Sequence, residues 1–208
     1  MRILGIDIGG SGIKGGIVDT TTGEMITEKF RLPTPRPALP HEVAKTVHQI
    51  VDHFNWKGEV GAGFPTPLFH GKCLSGGNLH PDWKGVQADE LFKSVTGLEF
   101  TVINDADAAA EAEMHFGAGK GKDGLVAVIT LGTGIGSGLF FNGVLIPNSE
   151  LGHVTYKGEP FEKYAADSIR KKEELRKSNI LRTPTTSLIE LSILYLDYSR
   201  EKDSTKTF

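Results

Sequence analysis

Short apolar stretches alternate with helix-spaced ones along the first hundred positions. Residues 2–8 (RILGIDI) are apolar and β-branched and end in a glycine pair, the pattern of a buried strand running into a turn. Residues 13–19 predict a second strand, 20–23 a turn and 24–32 a third strand, together an antiparallel meander. Four prolines within residues 33–40 mark a connector. Val43, Val47, Ile50, Val51 and Phe54 recur at helical spacing over residues 41–54. A strand is predicted at 60–64, a loop or hairpin at 65–77, a helix at 87–95 and a strand at 100–103. Asn104 and Asp105 then open an alanine-rich helix running to about His115.

Residues 117–124 (GAGKGKDG) break the pattern and are the expected domain boundary. The opening theme then returns: an apolar strand at 125–131, a glycine turn at 132–138, and a strand or hairpin at 139–146. This is a weak internal duplication, consistent with two similar halves whose glycine turns share one cleft. Residues 159–177 read as a helix with Pro160 near its start. One apolar stretch at 188–196 fits a helix or a strand equally. The expected organisation is a first domain over 1–116, a partial second domain over 117–177 and an atypical tail over 178–208.

Composition narrows the class. The 208 residues carry a net charge of −3, which gives no electrostatic footprint for nucleic acid. No apolar run approaches the roughly 20 residues that span a bilayer, and the N-terminus lacks a signal-peptide core. A cytoplasmic protein without membrane or nucleic-acid partners is expected. The one cysteine, Cys73, excludes an internal disulfide and a multi-cysteine zinc site. All 26 glycines lie between Gly5 and Gly158, so tight turns and close backbone approaches concentrate there.

The first glycine turn matches G-x-G-x-x-G over residues 10–15, but a second strand follows where a dinucleotide site needs a helix. Two readings remain for it. One is a tight hairpin with Asp7 as a turn residue. The other is a phosphate cradle: Gly9, Gly10 and Gly12 let backbone N–H groups converge on an anion, Ser11 adds a hydroxyl, and Lys14 adds charge. Asp7 would then hold a hydrated Mg²⁺. The second turn repeats this chemistry at Thr130, Gly132, Thr133 and Gly134, with hydroxyls among glycines. Two such cradles favour phosphoryl transfer, where catalysis is mainly positioning and charge stabilisation.

Residues 5–15 (GIDIGGSGIKG), 104–108 (NDADA), 130–138 (TLGTGIGSG) and 150–153 (ELGH) together resemble the ROK (repressor, ORF, kinase) family of sugar kinases, in particular its polyphosphate glucokinase branch. GFPTP at 63–67, NLHPDWKG at 78–85 and KYAADSIRKKEEL at 163–175 add to the likeness, which covers about residues 2–176. It implies an α/β, actin-like ATPase (ribonuclease H-like) fold of two domains. It also implies phosphoryl transfer from polyphosphate, ATP or both to the 6-hydroxyl of glucose, with Mg²⁺, in a protein that is often a homodimer.

The resemblance also proposes roles. Asp105, which alone could equally cap a helix, becomes the base that takes the sugar proton. Asn104 and Asn78 become sugar contacts, as do Glu150 and His153 of E-x-x-H and, with less support, Glu162. In many relatives the equivalent histidine also binds zinc with three following cysteines. Residues 154–161 contain none, so no zinc is expected. The Arg170-Lys171-Lys172 cluster reads first as a solvated helix face. After KKEEL the family pattern stops and its third glycine turn does not follow, so a truncated or frame-shifted second domain is expected. The alternatives to a working kinase are a non-catalytic sugar-binding member and an inactive fragment.

Overall fold

The computed structural model describes residues 1–131, 134–165 and 191–192. Contacts divide the chain into two units, Met1–Ala108 and Ala109–Phe208.

The first unit opens with β1 (Arg2–Ile8), β2 (Gly12–Asp19) and β3 (Phe30–Pro33), followed by α1 (Pro40–His53), β4 (Val60–Phe64), the two-residue strands β5 (Leu68–Phe69) and β6 (Lys72–Cys73), α2 (Ala88–Thr96) and β7 (Phe100–Asn104). Five strands form one sheet in the order β3-β2-β1-β4-β7. The first three are antiparallel, and β4 and β7 run parallel to β1. Alternation decides the faces. Leu4, Ile6 and Ile8 point into the core, where Ile50 of α1 sits against Gly15. Asp7 and its cross-strand partner Lys14 point to the other face.

α1 turns Val43, Ala44, Val47, Ile50 and Val51 inward, with Pro40 in its first turn, where a missing N–H costs nothing. α2 stops at Gly97, whose φ of 73° provides a left-handed C-terminal cap. Between them lies an aromatic knot. Phe64 meets Trp83 edge-on at 4.6 Å, and Phe92 meets Phe100 at 5.4 Å. The indole N–H of the fully buried Trp83 donates to the carbonyl of Ala38 at 3.0 Å.

The third strand is shorter than the sequence predicts. The N–H of Ile17 donates to the Thr27 hydroxyl at 3.0 Å, so a side chain takes the place of a backbone acceptor. Regular pairing with β2 starts only at Phe30.

α3 (Asp105–Phe116) contains the division between the units, upstream of the expected boundary at 117–124. Its first turn packs at Gly63, while Ala110 and Met114 join the second core with Val126, Val128 and Phe140.

In the second unit β8 (Leu125–Leu131), β9 (Ile135–Phe141) and β10 (Val144–Ile146) form an antiparallel meander. Gly136 and Gly138 therefore belong to a strand, and the glycine turn is shorter than predicted. β11 (Thr155–Tyr156) and β12 (Glu159–Pro160) form a hairpin, and α4 (Glu162–Ala165) follows it. The expected helix start at residue 159 is thus corrected. Lys157 and Gly158, with φ of 50° and 84°, form a turn suited to a tight hairpin, which takes Glu159 and Pro160 into a strand. Leu191–Ser192 is a strand, β13, beside β8. The remainder of the predicted helix, Arg170-Lys171-Lys172 and most of the tail lie outside the described residues.

Candidate active site

Between β1 and β2 the chain reverses over four residues, with the N–H of Gly9 donating to the carbonyl of Gly12 at 3.0 Å. Asp7 and Lys14 form an ion pair of 3.2 Å across the base of this turn, each side chain one-third exposed. Three side chains grip the turn's carbonyls from outside. Thr34 donates to Gly9 at 2.5 Å, Arg36 to Gly10 at 3.3 Å and Arg31 to Ser11 at 3.0 Å. With these carbonyls held and the Gly9 N–H already donating to Gly12, the N–H groups of Gly10 and Ser11 are the part left to face an anion. A Cβ at Gly10 would lie 3.2 Å from the carbonyl oxygen of Asn78. The predicted phosphate residues Gly9, Gly10, Ser11, Gly12 and Lys14 and the predicted sugar residue Asn78 are therefore neighbours.

Asp7 is in register with Gly63 on β4, and Gly63 with Ile103 on β7. The carboxyl ends of three parallel strands thus lie side by side, the usual location of ligands in open α/β sheets. One residue past β7, Asp105 begins α3. The backbone at Gly63 passes 3.5 Å from the Asp105 Cα, measured from where a Cβ would stand. The alternative role of Asp105 as the helix cap falls mainly to its neighbour. The Asn104 side-chain oxygen accepts from the N–H groups of Ala106 at 2.9 Å and Asp107 at 3.1 Å. Asp105 Oδ1 also accepts from Ala106 at 2.9 Å, which fixes the orientation of its carboxylate. Because Asn104 is buried and its oxygen is used in capping, the NH₂ end of its amide is the part that can meet a hydroxyl.

The second unit brings three predicted residues together. His153 Nδ1 lies 3.3 Å from Glu150 Oε2, and His153 Nε2 lies 3.6 Å from Glu162 Oε1. Glu150 precedes a short 3-10 turn, Leu151–His153, in the left-handed region with φ of 42°. This turn is anchored to β9: the Leu151 N–H donates to the buried Ser137 hydroxyl at 2.9 Å, and Ser149 donates to the Ser137 carbonyl at 2.9 Å. Gly152 is required there, since a Cβ would collide with the carbonyl of Ile135. Two carboxylates bracketing an imidazole offer acceptors and a switchable donor, the chemistry that binds adjacent sugar hydroxyls.

Glu162 has a second contact. Its Oε2 accepts from the Ile135 N–H at 3.2 Å, directly after the second glycine turn, and it packs on Gly134. Thr130, predicted as a phosphate contact, is buried at the end of β8 opposite Gly136. Gly132 and Thr133 lie outside the described residues.

The ROK family profile matches residues 3–169 of this sequence. The chain belongs to the ROK family. Among curated ROK relatives, the polyphosphate glucokinase of Mycobacterium tuberculosis (strain H37Rv) is 46% identical over 172 residues, 82% of this chain and 65% of the relative. That of Mycobacterium leprae is 44% identical over 82% of this chain and 53% of its own length. The chain thus spans between half and two thirds of these proteins. Among solved structures, the inorganic polyphosphate/ATP-glucomannokinase of Arthrobacter sp. strain KM superposes with a TM-score of 0.78 at 44% identity, covering 84% of this chain and 72% of that one. A ROK family glucokinase from Streptomyces griseus, solved with glucose and AMPPNP, gives 0.68 at 29% identity, covering 81% and 58%.

Sequence reasoning on this ROK chain missed Arg31, Thr34, Arg36, Ser137 and Ser149. The first three reach the turn from 20 to 26 residues away, and no short motif records such a contact. The serine at 137 was visible within TLGTGIGSG but was counted with the turn rather than as a strand residue that anchors the ELGH loop. Cys73 is buried, and burial pushes its thiol pKa up to about 12. Among the described residues no group of three or more His, Cys, Asp or Glu side chains is arranged to hold a metal ion. No helix among them is long and apolar enough to cross a membrane.

Proposed function

We propose that this ROK chain carries the sugar- and phosphate-binding halves of a glucokinase that transfers a phosphoryl group from polyphosphate or ATP to the 6-hydroxyl of glucose. The observation that carries this reading is Asp105, a carboxylate at the end of β7 whose capping duty is largely taken over by Asn104. The likeness to polyphosphate glucokinases at 46% identity supports the choice of donor and sugar.

In this mechanism the Asp105 carboxylate accepts the proton of the glucose O6 hydroxyl as O6 attacks the terminal phosphorus. A new O6–P bond forms, the P–O bond to the rest of the donor breaks, and the shortened donor leaves with the bonding electrons. Asn104, Asn78, Glu150, His153 and Glu162 orient the sugar. The N–H groups of Gly10 and Ser11, the Ser11 hydroxyl and Lys14 receive phosphate oxygens, and the 130–134 turn is a second phosphate-binding turn.

Mg²⁺, when bound, neutralises charge on the phosphate oxygens. Asp7 fits it as a water-mediated ligand. Magnesium keeps several waters and takes one or two carboxylates plus substrate phosphates, and Asp7 offers one part-exposed carboxylate at the turn. The ammonium of Lys14 at 3.2 Å disfavours direct coordination at the shared oxygen.

The test is glucose-6-phosphate formation followed by a coupled assay, with polyphosphate and with ATP as separate donors. Turnover abolished by Asp105→Asn supports the reading. Glucose binding without turnover from either donor overturns it in favour of a sugar-binding protein.

A further inference from the structure

The eight residues between His153 and Glu162 contain β11 and β12. Each strand has two residues, and Lys157-Gly158 joins them in a turn with positive φ. The Phe161 N–H donates to the Val154 carbonyl at 2.9 Å and closes the base of the hairpin. His153 and Glu162 are the next residues out on either side of that bond. The hairpin therefore sets how they meet, at 3.6 Å from Nε2 to Oε1. An isolated two-stranded hairpin is marginal in water, and this one is thinly supported. Thr155, Tyr156 and Glu159 are exposed, and neither strand belongs to the four-stranded sheet of the second unit.

A cluster of rings holds it. Tyr156 stands diagonally across the strands from Phe161, a spacing that aromatic side chains can span. Their rings meet edge-to-face with centroids 6.0 Å apart. The ring of Tyr164 on α4 meets Tyr156 edge-to-face at 5.5 Å. The Lys157 ammonium lies 5.3 Å from the Tyr156 centroid. Tyr156 is the common member of all three contacts. The other tie between β12 and α4 is the Lys163–Glu159 ion pair, which is exposed and contributes little. The three rings remain 39–46% exposed, so they form no core of their own. They brace the hairpin against α4, and α4 begins with Glu162.

We propose that Tyr156 is a positioning residue for Glu162. Through Phe161 and Tyr164 it braces β11–β12 against α4 and so fixes the carboxylate between the His153 imidazole and the Ile135 N–H. The consequence for sugar affinity rests on the reading of Glu162 and His153 as sugar contacts. The bracing itself does not.

The experiment is native-state amide exchange of the whole chain followed by NMR, paired with calorimetric titration with glucose in the absence of a phosphoryl donor. Two amides with side-chain acceptors serve as reporters. Ile135 donates to Glu162, and Leu151 donates to the Ser137 hydroxyl. Tyr156→Ala is expected to speed exchange at Ile135 about tenfold, the scale of two edge-to-face pairs. Exchange at Leu151 should stay within about twofold, since its bond is anchored on β9. Tyr164→Ala removes one pair and should speed Ile135 about threefold. Tyr156→Phe keeps the ring and should exchange like the wild type. Glucose affinity should follow the same order, falling about tenfold in Tyr156→Ala. In a Glu162→Ala background Tyr156→Ala should cost no further affinity, because its route to the sugar is gone. An Ile135 amide that does not respond overturns the proposal. So do Ile135 and Leu151 amides that accelerate together, and affinity losses that add in the double variant. An Ile135 response in a chain that does not bind glucose leaves the bracing standing and removes the sugar reading. Glucose binding with an Ile135 amide indifferent to Tyr156 does the reverse.

Discussion

Glu162 accepts a hydrogen bond from the N–H of Ile135 at 3.2 Å while its other oxygen lies 3.6 Å from His153. One carboxylate therefore touches the backbone just after the second glycine turn and the His153 imidazole at once. Glu162→Ala is expected to raise the KM for glucose and for the phosphoryl donor, each by about tenfold, since a hydrogen bond to a charged group contributes about 1.5–3 kcal/mol. Glu162→Gln keeps an acceptor for Ile135 and loses the charge beside His153. It should restore the donor KM and leave the glucose KM raised. Steady-state kinetics on both substrates separates the two effects.

Asp105 and Asn104 should separate chemistry from stability. Asp105→Asn is expected to lower kcat by about 10²–10⁴, the range for loss of a general base, with little change in melting temperature. Asn104→Ala removes the main cap of α3 and should cost about 1 kcal/mol of stability, together with a raised KM for glucose. Thermal melts paired with kinetics on the two variants check this. Equal melting losses in both would mean that Asp105 is chiefly a cap.

Ser137 acts through the ELGH loop. Its hydroxyl accepts from Leu151 at 2.9 Å and lies 3.0 Å from the Ser149 hydroxyl. Ser137→Ala should cost about 1 kcal/mol, the net contribution of a typical hydrogen bond. The glucose KM should rise and kcat should change little, because the loop that carries Glu150 and His153 loosens. Ser137→Thr, which keeps the hydroxyl, tests whether the bond rather than the volume matters.

Cys73 gives a pH signature. The folded thiol holds its proton to about 12, against an ordinary value of 9.0. Between these values the unfolded chain binds fewer protons than the folded one, so stability falls as pH rises from about 9. Urea titrations from pH 7 to 10 should show a declining midpoint that Cys73→Ala flattens. At pH 8 a thiol reagent should modify the native chain slowly and the unfolded chain at the normal rate.

β1 and β4 were legible because they alternate cleanly and run into a glycine or a proline. Strands at 2–8 and 60–64 and the helix over 41–54 are where the pattern predicts them, within a residue or two. Side chains that replace backbone partners were not legible. Thr27 interrupts the third strand through its hydroxyl. Lys157-Gly158, a two-residue turn with positive φ, makes a hairpin out of what composition reads as a helix start. The site residues were legible as motif members, since GIDIGGSG, NDADA and ELGH are compact in sequence. The contacts that hold those motifs in place come from Arg31, Thr34, Arg36 and Ser137, whose partners are distant in sequence and set by strand register.

Trp83 lies sealed among Phe64, Phe92 and Ala38, and Trp56 donates its indole N–H to Glu59 at 2.9 Å. These are the two tryptophans of the chain, and both belong to the unit Met1–Ala108. Tryptophan fluorescence, excited where tyrosine does not absorb, is therefore a private reporter of that unit, whereas far-ultraviolet ellipticity records both. Coincident melts by the two signals would make the units one cooperative block, and separated melts would make them two.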